Sequence, residues 1–564
     1  MLAPLFKMLE ASFELVVPLV LASIIDKGIV NHNRTYIYQM CLILIVLALI
    51  GLITSITAQF FAAKAAVGFA AQLRHALFAH LQAFSFTEID TLGTSTMITR
   101  MTSDVNQAQT GVNMFLRLFL RSPFVVFGAM AMAFTIDVKS ALHFVIAILL
   151  LSIVVFGIMR INIPMLKVVQ QKLDGVLNLT RENLLGVRVI RAFCKEEEEI
   201  NRFAKRNEEL TKQQKKTGSI SAFMNPVTYV IINIAILRLI WTGTLQVDAG
   251  ILTQGQVIAL YNYMSQILVE LIKLANLIIT INKAVASGNR IQNVFDMKSS
   301  MIYEKRLPIH VNYNQIESED AVMYRHVSLT YHNAGEESLT DINFSVKKGQ
   351  VIGVIGGTGS GKSSVVNMIP RFYDATKGEV LIQGRNVKEY SAEELTEKVG
   401  IVLQKAVLFK GSIESNLRVG KKTATVEQME EAIKVAQAED IVKAKGGLNA
   451  AVTQGGKNLS GGQKQRLTIA RALVKRPEIL ILDDSASALD MTTDAKLRKA
   501  IRGLDYHPTV FIVSQRTSAI QDADQIMVLE EGRIVGIGTH EELLTGCEVY
   551  KEIYESQYRK EAVQ

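Results

Sequence analysis

The chain has 564 residues, of which 49% are hydrophobic, with a mean hydropathy of +0.23 and a formal net charge of +8. Most of the apolar residues precede about residue 300, so we predict a membrane domain followed by a soluble domain. No basic stripe interleaved with aromatic residues is present, which argues against a nucleic-acid partner. The three cysteines are scattered without C-x-x-C spacing and predict neither a metal site nor a disulfide framework.

Six apolar stretches each approach the ~20 residues needed to cross a bilayer. They are centred in residues 5 to 26, 37 to 61, 113 to 135, 141 to 160, 219 to 242 and 256 to 281. The first stretch is too long for a signal peptide and lacks a small-residue cleavage site. We therefore predict a six-helix membrane domain over residues 1 to 300, a linker over 301 to 320 and a soluble α/β domain over 321 to 564.

The basic residues are distributed unevenly between the predicted loops. The segment from Arg160 to Gly218 contains 13 Lys and Arg residues, whereas the three loops on the other side contain only Lys27, Arg34 and Lys139. By the positive-inside rule the first segment is cytosolic, which also places both termini in the cytosol. We therefore predict a multi-pass protein of the plasma membrane. The net positive charge then faces anionic lipid of the bilayer.

Ionisable residues within the predicted spans are costly and are expected to face the bundle interior, water or one another. They form three pairs: Glu10 with Glu14, Arg117 with Arg121, and Glu270 with Lys273. One interpretation is mutual ion pairing. A second hypothesis is that Glu10 and Glu14 attract cationic amphipathic drugs.

In the soluble part, Gly356 to Ser363 fits the phosphate-loop pattern G-x-x-x-x-G-K-[ST], and Val351 to Ile355 before it indicates a buried strand. A helix is predicted to start near Lys362. Glycines let backbone N–H groups point at phosphate oxygens, the lysine adds a positive charge, and Ser363 can ligate Mg²⁺. The predicted nucleotide-binding residues of this loop are Gly357, Thr358, Gly359, Ser360, Gly361, Lys362, Ser363 and Ser364.

A second apolar run, Ile479 to Leu482, ends in Asp483 and indicates a buried strand that delivers a carboxylate to Mg²⁺. Upstream lies Leu459-Ser460-Gly461-Gly462-Gln463, followed by a predicted helix that runs to about Val474. With these motifs together the chain resembles the ATP-binding cassette (ABC) transporter superfamily, whose signature is LSGGQ. The fold implied is an all-α six-helix membrane domain followed by an α/β P-loop nucleotide-binding domain, the ABC exporter fold.

The resemblance implies roles for further residues, with ATP and Mg²⁺ as cofactors. Tyr331 resembles the aromatic residue that stacks on adenine. Gln404 resembles the Q-loop glutamine that contacts Mg²⁺ and the attacking water, so the predicted metal ligands are Ser363, Gln404 and Asp483. Residues Ser487 to Asp490 match the D-loop. The signature residues Ser460, Gly461, Gly462 and Gln463 are expected to bind the nucleotide of an opposing cassette.

Two catalytic positions depart from the family pattern. Asp484 stands where relatives usually have a glutamate that polarises water, and it is shorter by one methylene. Displacing a general base by about 1 Å can lower the rate of the catalysed reaction by a factor on the order of 10². Gln515 stands where a histidine is usual, and an amide cannot carry the positive charge of an imidazolium. The site is therefore expected to bind ATP but to hydrolyse it poorly, although a slow and competent enzyme is the alternative.

Cassettes of this family pair head to tail, so that the signature of one chain covers the phosphate loop of the other. Because this signature is intact, the resemblance implies a second half-transporter whose site turns over. The predicted function is a subunit of a heterodimeric ABC exporter of amphipathic compounds, a group that includes bacterial multidrug exporters. A lipid flippase, a slow homodimeric exporter and an ATP-gated regulatory membrane protein remain alternatives. Thr99 to Val105 and Arg181 to Phe193 resemble the two cytosolic coupling helices of the family.

Overall fold

The computed structural model describes residues 2–301, 318–332, 334–485 and 487–558. The chain divides into two compact units. The membrane unit consists of residues 1–79 and 95–296, and the cassette unit consists of residues 80–94 and 297–564. Almost all of the predicted linker at residues 301–320 lies outside the described residues.

Residues 2–296 are helical apart from short connections, and two of the helical stretches contain π-helical turns, at Ile24–Ile29 and Arg100–Asp104. The helices are α1 (Leu2–Ser23), α2 (Arg34–Gln82), α3 (Phe86–Leu92), α4 (Thr94–Thr99), α5 (Val105–Leu118), α6 (Arg121–Ile136), α7 (Val138–Leu185), α8 (Val187–Ala192), α9 (Glu196–Asp248) and α10 (Gln254–Asp296). Within the described residues, six helical stretches are long and apolar enough to cross a membrane, as the sequence predicted. Several continue well past the apolar segment, because the Lys, Glu, Gln and Arg residues that follow favour helix in water.

The core of the membrane unit is formed mainly by α1, α6, α7 and α10. Small residues permit close packing there: Ala11, Ala129 and Ala259 are fully buried. The hydroxyl of the buried Tyr263 in α10 donates a hydrogen bond of 2.6 Å to the carbonyl oxygen of Leu15 in α1. This contact satisfies a polar group that would otherwise be costly in an apolar environment.

The described residues from 318 onward form an α/β domain. Its strands are β1 (Asp320–Leu329), β2 (Leu339–Lys347), β3 (Val351–Gly356), β4 (Lys377–Ile382), β5 (Arg385–Asn386), β6 (Val399–Val402), β7 (Gly411–Ser412), β8 (Ala451–Val452), β9 (Ile479–Asp483), β10 (Thr509–Val513), β11 (Gln525–Glu530) and β12 (Arg533–Gly538). Its helices are α11 (Lys362–Asn367), α12 (Ala392–Lys398), α13 (Ile413–Leu417), α14 (Val426–Val435), α15 (Glu439–Lys445), α16 (Gly461–Leu473), α17 (Met491–Arg502), α18 (His540–Gly546) and α19 (Glu548–Tyr558).

A six-stranded sheet forms the centre of this domain, in the order β12-β11-β3-β10-β9-β6. All neighbouring pairs except β11 with β12 are parallel. A second sheet, in the order β2-β1-β4-β5, is antiparallel. The carboxyl ends of β3, β6, β9 and β10 therefore meet at one edge of the central sheet, which is where ligands bind in open α/β folds.

Candidate functional site

The phosphate loop follows β3 and leads into α11, as predicted. Gly359 and Gly361 have φ angles of +87° and +94°, and a Cβ at Gly361 would lie 2.6 Å from a methyl carbon of Leu339. These positions therefore require glycine. The Ser360 side chain is buried, and its hydroxyl oxygen has no hydrogen-bond partner in the described part of the chain. A buried unpaired hydroxyl at this loop fits the oxygens of a phosphate group.

Lys362 begins α11 and lies over the loop. Its Nζ donates hydrogen bonds to the carbonyl oxygens of Gly356, at 2.9 Å, and Gly357, at 2.6 Å. Burial lowers the pKa of the Lys362 ammonium group, while the charges of Asp484 and Asp483 act in the opposite direction. The positive charge is thus held beside the loop by its own backbone and by two nearby carboxylates.

Ser363 and Asp483 come together from α11 and the end of β9. The Ser363 hydroxyl donates a hydrogen bond of 2.9 Å to Oδ1 of Asp483. Burial raises the pKa of the Asp483 carboxyl, and the Asp484 charge adds to this effect, whereas the hydrogen bond from Ser363 opposes it. A hydroxyl and a buried carboxylate in contact are suitable oxygen ligands for Mg²⁺.

Asp484 and Gln404 also meet at this edge of the sheet. The side-chain amide of Gln404 donates a hydrogen bond of 3.3 Å to Oδ2 of Asp484. The Asp484 backbone is in the left-handed region, with φ of +43°, and its N–H donates to the carbonyl oxygen of Val513. The backbone of Asp484 is therefore held by the neighbouring strand.

Gln515 follows β10, and its side chain is exposed toward the same cleft. Its carbonyl oxygen accepts a hydrogen bond of 2.8 Å from Nε2 of Gln557 in α19. The Gln557 Oε1 accepts from both the backbone N–H and the hydroxyl of Thr517, each at 3.0 Å. Sequence reasoning missed Gln557, because no motif relates a residue in the last helix to a loop 42 positions earlier.

The cleft bounded by these residues has a volume of about 730 Å³. Tyr331 lines it, and the Tyr331 hydroxyl donates a hydrogen bond of 2.8 Å to Oγ of Ser364. Burial raises the pKa of the Tyr331 phenol. Sequence reasoning also missed acidic residues in the lining of the cleft, namely Glu336, Glu337 and Glu531.

The signature lies at the start of α16. Ser460 caps this helix, since its hydroxyl accepts from the backbone N–H of Gln463 while the Gln463 side chain accepts from the N–H of Ser460. A Cβ at Gly462 would lie 2.9 Å from the carbonyl oxygen of Ala488, so the signature packs closely on the D-loop. Ser460, Gly461, Gly462 and Gln463 do not line the cleft that the described residues form around Lys362.

A short segment between the second and third spans belongs to the cassette unit. The ring of Phe86 lies 4.4 Å from that of Phe372, and the hydroxyl of Tyr373 donates a hydrogen bond of 2.7 Å to Asp90. The ring of Tyr373 in turn lies 4.9 Å from that of Tyr331, edge to face. The nucleotide cleft is thus in contact with α3 through two tyrosines.

This arrangement corrects the prediction for the first coupling segment. We expected it at Thr99 to Val105, but the structure places that stretch in the membrane unit, where Asp104 forms an ion pair with Arg290. The segment that packs on the cassette is α3, because its Phe86 supplies the aromatic contact and its Asp90 the acceptor. The second predicted segment, Arg181 to Phe193, covers the end of α7 and all of α8 in the membrane unit.

Five of the six charged residues singled out in the spans form ion pairs; no ion pair is described for the sixth, Arg117, whose buried Nε has no hydrogen-bond partner among the described residues. Arg121 donates hydrogen bonds to Glu270, at 2.5 Å, and to Glu14, at 2.6 Å, and Lys273 pairs with Glu270 at 2.8 Å. Glu10 pairs with Lys7 at 2.5 Å. The interpretation of mutual pairing therefore describes these residues, and the hypothesis that Glu10 and Glu14 attract cationic amphipathic drugs stays a prediction.

Comparison with known proteins agrees with this architecture. Residues 1–271 match the family described as ABC transporter transmembrane region, and residues 339–487 match the family described as ABC transporter. A bacterial Atm1-family ABC exporter solved with ATP bound superposes with a TM-score of 0.82 over 98% of this chain and 97% of that chain, at 22% identity, which establishes a common fold.

Curated relatives are similar over nearly the whole length. The uncharacterized ABC transporter ATP-binding protein YfiB of Bacillus subtilis is 35% identical over 99% of this chain and 96% of its own. The putative multidrug export protein YgaD of Bacillus subtilis is 31% identical over 98% of this chain and 95% of its own. An ATP-dependent lipid A-core flippase of Syntrophus aciditrophicus is 30% identical over 87% of this chain and 81% of its own.

Fold and site together define a multi-pass membrane protein with a cytosolic cassette that binds ATP. The chain belongs to the ABC transporter family and has the organisation of an exporter-type half-transporter, with one membrane domain followed by one cassette. Its activity is transport coupled to ATP hydrolysis.

Proposed function

We propose that this chain is one subunit of a heterodimeric exporter of amphipathic compounds and that its own ATP site is slow. The second subunit is a different half-transporter, whose site hydrolyses most of the ATP and is completed by the signature of this chain. The observation that carries the proposal is the environment of Asp484, the residue at the position of the catalytic base.

Asp484 has a shorter side chain than glutamate, and its backbone is held by hydrogen bonding. Its backbone N–H is bonded to Val513 and its carboxylate accepts from Gln404. Since a buried strand holds the backbone, main-chain movement cannot easily replace the missing methylene of glutamate. General-base catalysis requires heavy atoms within hydrogen-bond reach, so this carboxylate is a poor base for water.

Gln515 is the second reason for a slow site. Its side chain is exposed to the cleft, where a histidine could carry a positive charge and a glutamine is always neutral. The groups that bind nucleotide are all present: Ser360 at the loop, Lys362 beside it, and the pair of Ser363 and Asp483 for Mg²⁺. ATP supplies the free energy of transport. The residues of this chain's site bind ATP but contribute little to its hydrolysis.

The signature supports a partner. Ser460 is fixed by its helix cap, and Gly462 lies against the D-loop, so the signature is ordered although it does not line the chain's own cleft. In the cytosolic segment from Leu184 to Phe193, exposed apolar side chains are unusually frequent for a surface that meets water: Leu184, Leu185, Val187, Val189 and Phe193. A second half-transporter would cover them.

The test is to purify the chain from its host in mild detergent and identify what accompanies it. A different half-transporter with glutamate and histidine at the positions of Asp484 and Gln515 is the expected result. In that complex, the double variant Asp484→Glu with Gln515→His should raise ATP turnover up to about twofold, since a second site becomes active. Brisk hydrolysis by the chain alone, through its own cleft, would contradict the proposal.

A lipid flippase is a second candidate, because one relative is named as a lipid A-core flippase while another is named for multidrug export. Vesicles with fluorescent lipids of defined head group separate the two functions. ATP-dependent movement of the fluorescent lipid from one leaflet to the other would indicate flipping. ATP-dependent uptake of dyes without lipid movement would indicate export.

A further inference from the structure

A cavity of about 320 Å³ lies between α1 and α10 in the membrane unit. Its lining combines charged, amide and apolar side chains. Glu14 lies on α1 and Lys273 and Gln266 lie on α10, while Val17, Leu21 and Val269 supply apolar walls. The cavity therefore has a polar part and an apolar part, as an amphipathic ligand requires.

The two outer charges of the ion-pair network reach this cavity. The side chains of Arg121 and Glu270 are only 8% and 3% exposed, so the centre of the network is closed. Glu14 is 39% exposed and Lys273 is 42% exposed. Charges within a span are costly beside lipid, so we expect their exposed parts to face an aqueous space within the bundle.

Each exposed group has spare hydrogen-bonding capacity. Oε2 of Glu14 accepts from Arg121, and the described contacts assign no partner to the other oxygen. Lys273 uses one of its three N–H donors on Glu270. Oε1 of Gln266 is buried without a partner among the described residues. Unsatisfied groups that converge on one cavity indicate a polar ligand or water.

The balance of charge selects the class of ligand. The ion-paired network consists of two cations, Arg121 and Lys273, and two carboxylates, Glu14 and Glu270, so it is neutral. The Lys7–Glu10 pair of α1 is neutral as well. A ligand that covers the cavity removes water from one carboxylate and one ammonium group. A purely cationic or purely anionic ligand would bring an uncompensated charge to this neutral network in a desolvated cavity, which is costly.

We infer that this cavity binds the polar group of a zwitterionic amphiphile, with its cationic group beside Glu14, its anionic group beside Lys273 and its apolar part along Val17 and Leu21. The inference rests on the proposed function, since it names the class of compound that the exporter carries. The ligand is either a zwitterionic membrane lipid or a dispersed zwitterionic amphiphile, and both share this chemistry.

The experiment measures binding, so that it does not depend on hydrolysis. The complex, as purified from its host, is placed in nanodiscs of phosphatidylglycerol and labelled with a dodecylphosphocholine analogue that carries a photoreactive group in its chain. Three competitors with the same dodecyl chain are compared below their micellar concentrations: dodecylphosphocholine, dodecyltrimethylammonium and dodecyl sulfate. We expect the zwitterion to suppress labelling of α1 and α10 at a concentration at least tenfold lower than either singly charged competitor.

Two variants should change this preference in opposite directions. Lys273→Gln removes the exposed cation and should make dodecyltrimethylammonium the strongest competitor. Glu14→Gln removes the exposed carboxylate and should favour dodecyl sulfate. Each leaves Arg121 bonded to Glu270, so the centre of the network is retained. Lys283→Gln, an exposed residue of the same helix that is not part of the cavity lining, is the matched control and should change nothing.

Nanodiscs of phosphatidylethanolamine distinguish the two sources of ligand. If the bilayer lipid occupies the cavity, labelling falls in these discs without any competitor; if not, labelling is unchanged and the dispersed zwitterion still competes. Either result supports the inference. Equal competition by all three head groups, or variants that leave their order unchanged, would overturn it. That failure is separate from failure of the proposed function, which is decided by ATP turnover and by the identity of the partner.

Discussion

Gln404 donates a hydrogen bond of 3.3 Å to the carboxylate of Asp484, and this contact joins the loop after β6 to the end of β9. In the cleft, the residue at the base position is therefore bonded to the residue expected to contact Mg²⁺. The pair is close enough to order Asp484 and long enough to be a weak bond. It gives a direct way to ask whether this carboxylate acts as a base.

Asp484→Asn should change the ATP turnover of the two-subunit complex by less than about threefold. A general base contributes roughly 10² to 10⁴ in rate, but only if the site that contains it carries the turnover. The measurement is steady-state ATPase activity, with binding of a fluorescent ATP analogue as the check on occupancy. The matched control is the amide variant of the partner's own glutamate, which should lose about a hundredfold. Equal losses in the two variants would contradict a division of labour.

Ser460→Ala should lower the ATP turnover of the complex by about tenfold or more while leaving ATP binding to this chain's own cleft unchanged. The hydroxyl is expected to serve the partner's nucleotide, and it caps α16 by accepting from Gln463. Loss of the cap alone costs about 1 kcal/mol, which does not unfold the domain. Ser460→Thr keeps the cap and is the control. A normal turnover in the alanine variant would show that the signature of this chain does not contribute to the partner's site.

Gln557 positions the segment that carries Gln515, so its variants should weaken ATP binding in a graded manner. Gln557→Glu keeps the acceptor for Thr517 but loses the donor to the carbonyl oxygen of Gln515. We expect a loss of affinity of two- to fivefold for this variant and of tenfold or more for Gln557→Ala. Titration with a fluorescent ATP analogue measures both. Normal affinity in Gln557→Glu would show that the bond to Gln515 has no role, and equal losses in the two variants would show that the contact with Thr517 has none.

Asp90→Asn and Tyr373→Phe address the contact between α3 and the cassette. The phenylalanine variant removes the hydrogen bond of 2.7 Å but keeps the ring against Tyr331. We expect ATP binding within twofold of normal and a loss of at least half of the transport per ATP hydrolysed, because α3 is less firmly held to the cleft. Asp90→Asn can still accept from the hydroxyl and should be milder. If transport per ATP is unchanged in Tyr373→Phe, this contact does not couple the two activities.

The half-buried Lys475 should make the stability of the folded cassette depend on pH. Burial lowers the pKa of Lys475 to about 8, although its Nζ donates to the carbonyl oxygens of Thr396 and Val399 at 2.6 Å each. The unfolded chain, with a pKa near 10.5, binds more protons than the folded chain between pH 8 and 10.5. Stability from this group therefore rises with pH in that window and is lowest below pH 8.

The measurement is the melting temperature of the cassette from pH 7 to pH 10 in the normal protein and in Lys475→Met. The difference between them isolates Lys475 from tyrosines and other groups that titrate in the same range. We expect the methionine variant to lose the upward slope that Lys475 contributes. Parallel curves would show that the Lys475 ammonium has an ordinary pKa.

Much of the fold was predictable because its signals are local. The apolar run before the phosphate loop became β3, the run ending in Asp483 became β9, and the residues after LSGGQ became α16. The six spans were predictable for the same reason, since each needs only a continuous apolar stretch. Their ends were less accurate, because α2, α7 and α9 continue into water on residues that also favour helix.

The sequence by itself determined the family, the two-part organisation and the pair of unusual residues at Asp484 and Gln515, because motif spacing and hydropathy are read along the chain. Only the tertiary structure decided which residues that are distant in the chain come into contact. It paired Glu14 with Arg121, brought Gln557 to the loop of Gln515, and placed α3 rather than residues 99 to 105 against the cassette. Such contacts depend on how helices and strands pack, and residues that are 42 or 107 positions apart carry no local signal of their proximity.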